Sequence, residues 1–109
     1  MSDATSLKQR NSICLVMIVK NESAVIKRCI DSVKDYINYW VICDTGSTDG
    51  TQDLIKEIMD GYGIPGELHE TEWKDYGRNR TESLELSKGK CDYRFVMDAD
   101  DVLNISDPE

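Results

Sequence analysis

The chain has little of what several large classes of protein depend on. It carries one histidine, two prolines and one phenylalanine in 109 residues. No second cluster of ligand-type residues surrounds His69, so it reads as a structural or exposed side chain rather than a metal ligand. No apolar run approaches the roughly 18 residues that cross a bilayer, and no membrane span is expected. Basic residues are in deficit: 13 Lys and Arg against 21 Asp and Glu give a net charge of −8. Nucleic-acid backbones and anionic membrane surfaces are bound by clustered Lys and Arg, so neither is an expected partner. Most of the acidic balance serves solubility. There is no Cys-x-x-Cys pair; Cys14, Cys29, Cys43 and Cys91 stand at wide, irregular spacing. Three of them lie in apolar runs, where a free thiol behaves as a small hydrophobe, which argues against zinc ligation and disulfides. The polar stretch Met1 to Asn11 lacks the apolar core of a signal peptide, and a cytoplasmic location is the resulting expectation. Two nucleotide-binding signatures are missing too. No G-x-G-x-x-G follows the first apolar run, and the turn Asp44 to Thr51 has no Lys to complete a P-loop.

What is present is a regular alternation. With 39% hydrophobic and 31% charged residues, the chain fits one soluble domain with one core. Its expected division is a polar tail over 1–11, a domain over 12–103 and a short tail over 104–109. Ser12 to Val19 is a continuous apolar run, as in a strand buried on both faces. Asn21-Glu22-Ser23 offers cap chemistry, and Val25, Ile26, Cys29, Ile30 and Val33 then follow at one-face helical spacing. A second strand over about Tyr39 to Cys43 ends in a Gly/Ser/Thr/Asp turn. Within that turn Asp49 and Gln52 have capping-box spacing. Leu54, Ile55, Ile58 and Met59 mark the next helix, with Gly61 as its stop. A short strand over Glu67 to Thr71, a third helix over about Tyr76 to Ser87 and a fourth strand from Tyr93 to Met97 complete the series. Strands that alternate with helices in this way form a mostly parallel α/β sheet, the Rossmann-like half of a doubly wound fold. Ligands of such sheets bind beyond the carboxyl ends of the strands. The polar clusters Lys20-Asn21-Glu22, Asp44 to Thr51 and Asp98 to Asp101 all fall at that edge.

The chemistry concentrates in those clusters. Asp98-Ala99-Asp100-Asp101 puts three carboxylates into four positions directly after an apolar strand. Carboxylates this close repel unless a cation or strong donors sit among them, which points to a divalent metal site. Asp44, at the end of a buried strand, can accept a hydrogen bond from a nucleobase ring N–H or a sugar hydroxyl. Trp73 reads as a packing anchor, with a place beside a ligand pocket as its alternative. Arg78 and Arg80, near a helix start, suit anion binding, with solvated helix charges as the alternative. Asp101 is either a third metal contact or a solvated side chain.

Together these segments resemble family 2 glycosyltransferases. Met17-Ile18-Val19-Lys20-Asn21-Glu22, the Asp44 to Thr51 turn, Trp73 to Arg80 and Asp98-Ala99-Asp100-Asp101 occur in the family's order, over about Ile13 to Asp101. The nearest likeness is to the branch containing lipopolysaccharide-core glycosyltransferases. The resemblance implies a GT-A fold and binding of a nucleotide-diphospho-sugar, with a UDP-sugar as the usual donor. It implies that Asp44 bonds the base, with Val19 and Glu22 lining the same pocket. Arg78, or as second choice Arg80, would contact base and diphosphate. Asp98 and Asp100 match the D-x-D acids, which contact the ribose and a Mn²⁺ or Mg²⁺ bridging the diphosphate. A hard cation held by oxygen ligands neutralises the charge that grows on the leaving diphosphate.

Inverting enzymes of this family also need an acidic general base to deprotonate the acceptor hydroxyl. No credible base stands in Val102 to Glu109, where Asp107 and Glu109 are the only acids after Asp101. Donor binding without the acceptor half is therefore the expectation, with a non-catalytic nucleotide-binding module as the rival. A haloacid dehalogenase phosphatase, with Asp98 as nucleophile and Asp100 as acid/base, is a further alternative. Its motif would belong on a first strand, with a Lys and further acids downstream. An EF-hand fails because Val102 occupies a ligand position and no Gly follows it.

Overall fold

The computed structural model describes residues 12–100, in which strands and helices alternate in the order expected. The strands are β1 (Ile13–Val19), β2 (Tyr39–Asp44), β3 (Gly66–Glu70) and β4 (Tyr93–Val96). The helices are α1 (Ile26–Val33), α2 (Thr51–Tyr62) and α3 (Tyr76–Leu86). The expected tails, Asp101, Asp107 and Glu109 lie outside the described residues. All strand pairings are parallel, in the order β3-β2-β1-β4. The chain thus builds outward from β1 to β3, and α3 then carries it back so that β4 pairs with the other side of β1. That reversal between β1 and β4 opens the crevice in which α/β sheets bind ligands.

The two faces of the sheet are packed differently. Leu15, Met17, Val19, Trp40 and Ile42 share one cluster with Ile26, Cys29, Ile30 and Val33 of α1 and Ile55, Ile58 and Met59 of α2. The alternate residues Cys14, Val16 and Val41 form a second cluster covered by Leu86, Cys91 and Tyr39. That alternation is the two-residue period of a strand buried on both faces. The buried residues of α3 are Asn79 and Ser83, with Ser87 at its C-cap, so this helix meets the core with polar groups. Two of them are satisfied within the helix: the Ser83 hydroxyl donates to the Arg80 carbonyl at 2.8 Å and Ser87 to Leu84 at 2.9 Å. Asn79 bonds outside the helix, to the loop before it. Cys14, Cys29 and Cys43 are buried and Cys91 is half-buried, and none of the four is in a disulfide among the described residues.

Local details depart from the sequence reading at the helix ends. Asn21 to Ser23 do not cap α1, whose N-cap Val25 carries no side-chain cap bond. The capping box of Asp49 and Gln52 does not form: the Gln52 amide donates instead to Asp44 Oδ1 at 3.0 Å. Helix α2 runs past Gly61 and stops at Gly63, whose φ of +71° is the left-handed conformation a C-terminal stop requires. Asp44 is the last residue of β2 rather than the first of the turn.

Candidate functional site

Val19 and Asp44 are register partners at the ends of β1 and β2, so the loops that follow leave the sheet side by side. Side chains then stitch the loops together. Asn21, at φ +54°, donates its amide to Ser47 Oγ at 2.8 Å and accepts from the Thr48 amide at 2.7 Å. The Glu22 amide donates to Thr51 Oγ1 at 3.0 Å. Asp49 accepts from the Ser23 amide at 3.2 Å and hydroxyl at 2.7 Å. It also accepts from the Thr51 amide and hydroxyl. These bonds from Thr51 and Ser23 hold the Asp49 carboxyl down at about 2. The residues that read as helix caps thus serve a loop-to-loop frame that fixes Glu22 and the Asp44 turn.

Asp44 is 1% exposed. Burial pushes its carboxyl up, and hydrogen bonds from Ser47, Gly46 and Gln52 outweigh that, leaving it below its ordinary value. Oδ1 takes the Gly46 amide at 2.9 Å, the Ser47 amide at 2.8 Å and the Gln52 amide. Oδ2 is buried without a hydrogen-bond partner among the described residues. A buried acceptor left unmade is costly, and a donor reaching Oδ2 from a ligand would satisfy it.

A cleft of about 330 Å³ lies beside these loops. Val19, Lys20, Glu22 and Thr45 line it from the β1 and β2 ends, and Asp98 from the end of β4. Asp44 itself lies just outside the lining, next to Thr45. Asp98 is held through its backbone, whose carbonyl accepts from the buried Cys29 thiol of α1 at 3.6 Å. The Glu22 carboxyl is raised from its ordinary value by burial and by the negative charges of Asp100, Asp49 and Asp98. Among the described residues, none of Glu22, Asp98 and Asp100 takes part in an ion pair. Glu22 and Asp98 line the cleft, and Asp100 stands near enough to act on the Glu22 carboxyl; carboxylates gathered without ion-pair partners suit a hard divalent cation. No three acidic, histidine or cysteine side chains form a cage among the described residues. Asp98 and Asp100 are oxygen donors of the kind that Mg²⁺ or Mn²⁺ takes, and an ion held by these two alone would need its remaining oxygens from elsewhere.

The fourth wall is aromatic. Trp73 and Tyr76 line the cleft and are 51% and 53% exposed. Trp73 is thus a cleft residue rather than the packing anchor expected, because the segment between β3 and α3 runs across the sheet edge. Its path is tied down where the Thr71 amide donates to the Asp44 carbonyl at 2.8 Å. The two arginines separate. Arg78 is 76% exposed at its side chain, 3.5 Å from Asp75 Oδ2, and borders a shallow depression of Gly77, Thr81 and Glu82 instead of the cleft. The Arg80 guanidinium stacks 4.7 Å from the Tyr76 ring centroid, donates to its hydroxyl, and borders a small crevice with Asp98. The structure brings Val19, Glu22 and Asp98 to one cleft with Arg80 at its margin; Arg78 stands apart. Lys20, Thr45 and Tyr76 were read from the sequence only as members of longer segments, with no site role of their own. The available signal was a pair of aromatics three residues apart in an otherwise charged loop.

A parallel sheet in the order β3-β2-β1-β4, flanked by helices and with acids gathered at the strand-order reversal, is the architecture of a Rossmann-like α/β domain. The sequence profile of glycosyl transferase family 2 matches residues 14–108, and the chain belongs to that family. It is 36% identical over 89 residues to the glycosyltransferase SunS of Bacillus subtilis, covering 79% of this chain and 19% of that protein. It is 35% identical over 89 residues to the lipopolysaccharide core biosynthesis glycosyltransferase LpsC of Rhizobium meliloti, covering 81% of this chain and 31% of the other. A TPR repeat-containing protein of Synechococcus elongatus is 33% identical over 92 residues, 84% of this chain and 21% of its own. The chain thus spans between 19% and 31% of the length of these relatives. Among solved structures, a mannosyltransferase from Pyrobaculum calidifontis in complex with GDP-mannose and Mn²⁺ shares the fold. The TM-score is 0.70 at 22% identity, over 91% of this chain and 33% of that one.

Proposed function

We propose that this chain is the donor-binding part of an inverting glycosyltransferase and holds a nucleotide-diphospho-sugar through a divalent metal. The observation that carries the reading is the set of unpaired carboxylates, Glu22, Asp98 and Asp100, at the β1/β4 reversal beside Asp44. Asp98 and Asp100 would hold Mn²⁺ or Mg²⁺, and the ion, when bound, supplies positive charge to the departing diphosphate. Asp44 accepts a base or ribose donor at Oδ2, Val19 packs against the nucleoside, and Glu22 lies close enough to sense the charge of both aspartates. Lys20, in the cleft wall, supplies a cation toward the phosphates, and Arg80 is better placed than Arg78 to do the same. Resemblance favours uridine as the base, and the Pyrobaculum enzyme's ligand makes guanosine the alternative to be tested.

Calorimetric titration with a UDP-sugar and with GDP-mannose, each with and without Mn²⁺, tests the reading. Binding is expected only with the metal. Removing a metal ligand by Asp98→Ala should weaken it by about tenfold or more, at least as much as losing an outer-shell partner costs. Binding that ignores both the metal and this substitution would sink the proposal.

A further inference from the structure

Asn79 is 1% exposed, on the first turn of α3, and gives both ends of its side chain to one short stretch of loop. Its Oδ1 accepts from the Lys74 amide at 2.8 Å, and its Nδ2 donates to the Glu72 carbonyl at 3.1 Å. The residue between those two bonds is Trp73. A buried amide therefore clamps the backbone on either side of a tryptophan whose own ring is 51% exposed. The clamp satisfies two backbone groups of the loop and fixes the main chain at Trp73, while the ring itself stays open to the cleft. A ring carried on a fixed main chain has less freedom to lose when a flat ligand covers it, which is a contribution to preorganisation of a binding site.

The place of the ring indicates which part of a ligand it meets. Trp73 follows Thr71 by two residues, and the Thr71 amide is bonded to the Asp44 carbonyl. The chain that carries the ring into the cleft therefore leaves the sheet beside Asp44, whereas Asp98 enters from the end of β4. A ligand whose diphosphate lies toward Asp98 has its base toward Asp44. We infer that Trp73 is the stacking platform for the nucleobase of the donor and that Asn79 is the positioning residue that holds it there. The inference rests on the donor-binding reading and adds a specificity element to it. Stacking on an aromatic ring tolerates different bases, so Trp73 strengthens binding of a nucleoside diphosphate while the choice among bases falls to hydrogen-bonding groups such as Asp44.

The test uses the 109-residue chain with UDP and GDP in the presence of Mn²⁺. Nucleotide binding should quench the emission of the exposed Trp73, the second tryptophan, Trp40, being buried at 5% exposure. Trp73→Ala should weaken the nucleotide by about tenfold, within the range of aromatic–base stacking, and Trp73→Phe should restore most of the affinity. Asn79→Ala should weaken it in the wild-type background and have no further effect in the Trp73→Ala background. That cycle separates positioning from a general structural role, which would act equally in both backgrounds. Full calorimetric affinity in Trp73→Ala overturns the platform and leaves the donor site standing. An Asn79 effect that persists without Trp73 overturns the clamp. Failure of the wild-type chain to bind any nucleoside diphosphate overturns the donor reading and the platform with it.

Discussion

Gly66 begins β3 directly opposite Trp40, and a Cβ placed on it would stand 2.2 Å from three atoms of the indole. The same indole donates from Nε1 to the Ile64 carbonyl at 2.9 Å, so it cannot simply swing aside. Gly66→Ala is expected to destabilise the fold by about 2–3 kcal/mol in a urea denaturation series, the usual scale of overpacking. Asp44 is the opposite case, a residue whose neighbours demand a charge. Three donors converge on Oδ1, and an amide in its place turns one acceptor into a donor. Asp44→Asn should lower stability by about 1–3 kcal/mol, the scale of a lost charged hydrogen bond in a buried site. It should also weaken nucleotide binding, which urea denaturation and calorimetry on one sample would report separately.

Between elements, Glu67 is the polar counterpart of the apolar core. It accepts from the Lys90 ammonium at 2.7 Å, the Tyr39 hydroxyl at 2.7 Å and His69 at 2.8 Å. These bonds tie β3 to the start of β2 and to the loop after α3. Lys90 first, with Tyr39 and His69, holds the Glu67 carboxyl at about 2 against an ordinary 4.5. A depressed carboxylate stabilises the folded state above its unfolded value and loses that contribution as protons fill it. Thermal stability should therefore fall as pH drops from about 4.5 toward 2, and Glu67→Gln should flatten that part of the profile in a series of melts. The strands and helices themselves were legible because each is written as a run of one period: β1 is apolar throughout, and Ile26, Cys29, Ile30 and Val33 mark one helical face. Hydrophobic periodicity reports burial, and burial dominates which elements form. The polar residues at the ends were harder to read. Asn21, Ser23, Asp49 and Gln52 all have local capping partners in sequence, and each is taken by a partner 8 to 27 residues away or by a neighbour inside its own turn. The acids at the strand ends survived this ambiguity because their edge follows from strand order alone. Arg78 and Arg80 did not, since two positions along a helix rotate a side chain to a different face.

At the scale of the whole molecule, one face of the sheet is closed by two apolar helices and the other by α3, which offers Asn79, Ser83 and Ser87. Ile30 is fully buried in the apolar layer, and Ile30→Ala should cost about 2–5 kcal/mol by urea denaturation. The all-parallel order has a consequence for the field around the cleft. Because every strand runs the same way, every connecting helix must begin at the edge where the strands end. Each helix start carries a fractional positive charge from its aligned peptide dipoles. Glu22, Asp44, Asp49 and Asp98 therefore gather where three helices begin, and the backbone itself offsets part of their mutual repulsion. The topology that sorts strands from helices thus also gathers three positive helix ends at the edge where the acids of the cleft stand.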